Sequence, residues 1–73
     1  MEKEEFVKQV GINIRTIREE KNLSLEKLAH EAGIEYSQLS RIENGKINTS
    51  IYSTYTIAKA LGISVAQLFI LAQ

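Results

Sequence analysis

The sequence predicts an all-α fold, a compact bundle of five helices, and three observations carry that prediction. The chain has no proline to interrupt a helix. Its apolar residues recur at steps of three and four instead of alternating with polar ones. Serine, asparagine and glycine fall where helices of ordinary length would start and stop. With 73 residues there is material for one core, so residues 1–73 read as a single domain.

The first helix is predicted from about Glu4 to Lys21. Phe6, Val10, Ile14 and Ile17 form one stripe on it, and Lys8, Asn13, Arg15, Glu19 and Glu20 occupy other faces. Gly11 lies inside this helix at a cost of about 1 kcal/mol relative to alanine, and it marks a place where another helix comes close. Asn22 tolerates the left-handed conformation that ends a helix, and Ser24 can accept from the free amides that begin the next. The second helix carries Leu25, Leu28, Ala29 and Ala32 and ends at Gly33. Glu35 is a weak cap for the third, which buries Leu39 and Ile42 and stops at the Asn44-Gly45 turn signal. After the loop KINTS, Ser50 caps a fourth helix over about Ile51 to Leu61, closed by Gly62. Ser64 with Gln67 makes a capping box for a fifth, over about residues 65–72.

Composition narrows the function classes. The nine cations and nine glutamates cancel, so there is no strong basic excess, although residues 36–73 hold Arg41, Lys46 and Lys59 against Glu43 alone. There is no cysteine, and His30 is the only histidine, with no partner at ligand spacing. No metal or other cofactor is expected. No nucleophile, base and orienting acid occur together, and Gly11, Gly33, Gly45 and Gly62 are too scattered to cradle a phosphate, so an enzyme is disfavoured. The N-terminal MEKEEFVKQ precedes no apolar signal core, and no run approaches the roughly 20 apolar residues of a membrane span. A cytoplasmic protein without membrane contact is expected. Tyr52 and Tyr55 read as core edge and surface of the fourth helix.

The fifth helix, VAQLFILAQ, is apolar on more faces than one small core can use. Either Phe69 with Val65 and Ala72, or the Leu68 and Leu71 edge, is expected to form a two-fold interface with a second copy.

Residues 24–44 are the informative stretch. Leu28, Ala32, Ile34, Leu39 and Ile42 face inward at the spacing that holds two short helices at a steep angle, Ala29 is small where they cross, and Gly33 makes the turn. This is the spacing of a helix-turn-helix. The chain resembles the phage repressor and Cro-like (XRE-type) helix-turn-helix family over roughly residues 10–71. The resemblance is carried by VGINIRTIREEKNLSLEKLA, the AGI turn, LSRIENGK and IAKALGIS.

That resemblance implies a lambda-repressor-like domain of five helices. It implies a transcriptional regulator whose third helix enters the major groove of double-stranded DNA, as a homodimer on a near-palindromic operator, with no small-molecule ligand expected. On helix 3 the outward residues are then the base readers. Arg41 can pair with guanine, Gln38 with adenine, Ser37 and Ser40 can donate or accept, and Tyr36 can meet a thymine methyl or a phosphate. Family phosphate contacts map to Ser24, Asn44, Lys46, Thr49 and Ser50. Arg18 and Glu43 correspond to an ion pair that ties helix 1 to helix 3. The chain departs from the family where Leu25 stands in place of the common glutamine and where KINTS carries one cation, both of which imply weaker phosphate binding. The rival reading is a protein-interaction module on the same scaffold, such as an antitoxin or adaptor.

Overall fold

The computed structural model describes residues 1–71. Its order is α1 (Lys3–Glu20), α2 (Leu25–Ala32), α3 (Tyr36–Glu43), α4 (Ile51–Leu61) and a short 3-10 helix (Val65–Phe69), with no strand among the described residues. The caps explain the boundaries. Ser24 Oγ accepts from Lys27 N–H at 3.0 Å and Ser50 Oγ from Ser53 N–H at 3.0 Å, each satisfying a donor that the first turn cannot. Glu35 makes no side-chain cap, and Asn22 turns the chain after α1 at φ 58°.

Helix α1 packs on α3, α2 packs on both α3 and α4, and the 3-10 helix closes the bundle against α1 and α4. The core they enclose centres on Ile14, Leu28, Leu39, Ile57 and Leu68, all fully buried. Gly11 lies where α1 crosses the end of α3, and a Cβ there would collide with the carbonyl oxygen of Ile42 and stand 2.7 Å from that of Glu43. The close approach expected from the sequence is therefore a helix-to-backbone contact. It sets α1 and α3 nearer than any side chain would allow.

The apolar stripe of α1 is only partly a core stripe. Val10 and Ile14 are buried, Ile17 is half-buried, and Phe6 is exposed at 37%. Phe6 instead lies against Phe69, with ring centroids 6.2 Å apart and planes 8° from parallel.

The C-terminal segment corrects the sequence expectation in two ways. In place of a fifth α-helix over residues 65–72, the helical hydrogen bonding ends at Phe69, because Asn13 Nδ2 donates to the carbonyls of Leu68 at 2.9 Å and Ile70 at 2.8 Å. Those acceptors are satisfied by α1, so continuing the helix offers the chain nothing further. Leu68, expected in an interface between copies, is fully buried in the core of its own chain and has no surface to offer. Ser64 N–H donates to Gln67 Oε1 at 3.1 Å, within the capping box read from the sequence. Ala72, also assigned to that interface, lies outside the described residues. Among the described residues, no helix is long and apolar enough to cross a membrane.

Candidate nucleic-acid interface

Helices α2 and α3 are joined by a turn that only a few residues can make. Gly33 adopts φ 70°, a left-handed conformation that costs a side-chain-bearing residue energy, and Ile34 N–H donates back to Ala29 O at 3.0 Å. Leu28, Ala29 and Ala32 are buried on one side of this corner, and Leu39 and Ile42 on the other.

Because Leu39 and Ile42 point inward three residues apart, the opposite side of α3 faces solvent. Tyr36, Ser37, Gln38 and Arg41 are exposed there, and Ser40 is half-buried at the margin. The five side chains expected to read bases thus share one helix, with hydroxyl, amide and guanidinium groups free to meet a partner.

A buried ion pair fixes how that face is presented. Arg18 Nε donates to Glu43 Oε2 at 2.7 Å, Arg18 Nη2 to Glu43 Oε1 at 3.0 Å, and Arg18 Nη1 to the carbonyl of Leu23 at 2.8 Å. Arg18 is 9% exposed and Glu43 3%. This fork-to-fork geometry satisfies both carboxylate oxygens, which makes burial of the two charges tolerable. The hydrogen bond to Glu43 raises the Arg18 guanidinium above its already high ordinary value, and burial opposes that shift without reversing it.

The residues expected at phosphates lie at helix ends and in the loop after α3. Ser24 and Ser50 are exposed at the starts of α2 and α4, with their hydroxyls engaged as caps. Lys46 is exposed in the loop after α3, where its N–H donates to Arg41 O at 2.8 Å. Thr49 differs from the others, since its Oγ1 is buried with no hydrogen-bond partner. Any contact from Thr49 therefore runs through its backbone. Asn44 is exposed, and its Oδ1 accepts from Arg15 Nη2 at 2.9 Å. Sequence reasoning missed Arg15. The only signal for it was its position three residues before Arg18, on a neighbouring part of the same helical surface.

Comparison with known proteins supports this architecture. The profile of the helix-turn-helix family matches residues 14–68. An uncharacterised helix-turn-helix-type transcriptional regulator of Sinorhizobium fredii is 36% identical over 61 residues, covering 84% of this chain and 79% of that protein. The restriction-modification controller protein of Aeromonas hydrophila is similar in structure, with a TM-score of 0.85 and 33% identity over 86% of this chain and 96% of its own. The master regulator of biofilm formation SinR, solved in complex with DNA, gives a TM-score of 0.75 and 40% identity over 81% of this chain and 95% of its own.

Proposed function

The chain belongs to the helix-turn-helix family of transcriptional regulators, and from that premise we propose that it reads a specific double-stranded DNA sequence with α3 in the major groove, as a homodimer on a near-palindromic operator. The observation that carries this reading is the division of α3 into two faces. Leu39 and Ile42 anchor it in the core, and Tyr36, Ser37, Gln38 and Arg41 stand in solvent. A structural helix of eight residues has no need of four exposed groups suited to base edges. Phosphate contacts from Ser24, Asn44, Lys46, the Thr49 backbone and Ser50 would set the register of the helix in the groove.

Dimerisation rests on the apolar surface left open near the C-terminus. Ile70 is 69% exposed, Ile51 87%, and the stacked Phe6 and Phe69 37% each. Val65 and Leu71, also expected at the interface, are half-buried. A second copy would cover this surface and place two α3 helices about 34 Å apart, one turn of DNA. Leu68 takes no part in that interface.

The zero net charge favours the rival reading, in which the α3 face meets a protein. A gel-shift series with the DNA upstream of its own gene and a shuffled duplex, over a range of salt concentrations, separates the two. A DNA reader prefers the upstream duplex and loses affinity steeply with salt. Equal, weak binding to both duplexes would reject the proposal.

A further inference from the structure

We propose that Arg15 is a phosphate-binding residue of the DNA interface, acting together with Asn44, whose side-chain amide it holds in place. The inference rests on the DNA-reading function proposed above and adds a residue to it.

Two guanidinium groups approach Glu43, yet Arg18 already satisfies both carboxylate oxygens at 2.7 and 3.0 Å. Arg15 Nε is left at 3.5 Å from Oε1 with its side chain 47% exposed. At that length Arg15 makes no hydrogen bond to the carboxylate, whose charge the Arg18 fork already balances. The Arg15 charge is thus a local positive excess in a chain whose net charge is zero.

Lys8, Gly11, Arg15 and Arg18 follow one another at helical intervals along the side of α1 that meets the end of α3. Gly11 lies against the backbone of Ile42 and Glu43, and a Cβ on Gly45 would stand 2.9 Å from Lys8 Cα. The loop after α3 is therefore pressed onto α1, with Lys8 on one side of the contact and Arg15 on the other. Lys46, hydrogen-bonded through its N–H to the Arg41 carbonyl at 2.8 Å, follows Asn44 by two residues in the same loop and brings a further cation to it.

Arg15 Nη2 donates to Asn44 Oδ1 at 2.9 Å, which occupies the acceptor end of the amide and fixes its donor end. A guanidinium and an amide NH2 held side by side, both exposed, offer several donors to one phosphate.

The test uses the full chain, the upstream duplex and a shuffled duplex of equal length. Arg15→Ala is expected to keep the wild-type melting temperature, to lose affinity for both duplexes by the same factor, and to lower the log-log salt slope by about 1 per protomer. Lys59→Ala, which removes one charge from the last turn of α4, is the control and leaves the slope unchanged. Arg15→Lys keeps a charge but lacks the fork, so it restores the slope while affinity stays below wild type. In an Asn44→Ala background, Arg15→Ala is expected to cost less than it does alone. Wild-type affinity and slope in Arg15→Ala, with the upstream duplex still preferred, would overturn this inference and leave DNA reading standing. A wild-type chain that binds neither duplex would overturn both.

Discussion

Arg18 on α1 and Glu43 at the end of α3 are joined by two hydrogen bonds, 2.7 and 3.0 Å long, with both side chains buried. This pair sets the orientation of α3 from behind, without itself reaching the exposed face of the helix. Arg18→Ala leaves the buried Glu43 carboxylate without hydrogen bonds and with only Arg15 Nε nearby, at 3.5 Å, and is expected to cost about 3–5 kcal/mol. DNA affinity then falls as a consequence of unfolding. Replacing both residues with apolar ones of similar size is expected to recover most of the loss. Thermal melts check both statements, and an unchanged melting temperature in Arg18→Ala would show that the pair contributes nothing.

Gly11→Ala tests the contact between α1 and the α3 backbone. Alanine raises helix propensity by about 1 kcal/mol, but its methyl group would collide with the Ile42 carbonyl and lie 2.7 Å from that of Glu43. Main-chain atoms cannot swing aside, so overpacking outweighs propensity, and a net loss of about 1–3 kcal/mol is expected in a denaturant titration. A stabilised variant would mean that the helices are farther apart than described.

Much of this architecture was legible because the signals are local. Ser24, Gly33, Ser50 and Gly62 act within a single turn of chain, so their positions predict helix ends that the structure places at the same residues. The inward set of α2 and α3 followed from spacing alone. Contacts between distant segments were not legible. Nothing near residue 68 signals that Asn13, 55 positions away, takes its carbonyl and ends the helix there. Leu68 reads as surplus apolar surface on a full α-helix, whereas the 3-10 helix turns it into the core. Phe6 fitted the core stripe by period, but its place is against Phe69. In sequence Arg15 is one more exposed helical arginine, and only the hydrogen bond to Asn44, 29 positions away, distinguishes it.

Asn13→Ala is expected to loosen the C-terminal segment specifically. Loss of the two donations to Leu68 and Ile70, at 2.9 and 2.8 Å, should cost about 1–3 kcal/mol. Hydrogen exchange should quicken in the 3-10 helix before it quickens in α2 or α3. Exchange that rises equally throughout would instead mean that Asn13 supports the whole core.

Ile70→Glu probes the proposed dimer, since Ile70 is 69% exposed and a charge there has no reason to unfold the monomer. Sedimentation at micromolar concentration should change from a dimer to an 8.2 kDa species with the melt of the monomer retained. A wild-type chain that already sediments as a monomer at that concentration would remove the dimer from the account.

The central claim is that the open side of α3 reads base sequence, and Arg41→Ala tests it most directly. Arg41 is exposed, and its side chain makes no hydrogen bond or ion pair among the described residues, so its removal should leave the fold intact. The measurement is the ratio of affinities for the upstream and shuffled duplexes at one salt concentration. One bidentate base contact corresponds to about 1–3 kcal/mol of discrimination, or roughly 5- to 150-fold per half-site. The account predicts that this ratio falls by such a factor, with binding to the shuffled duplex changed much less. An unaltered ratio, with the protein folded and still selective, would contradict it.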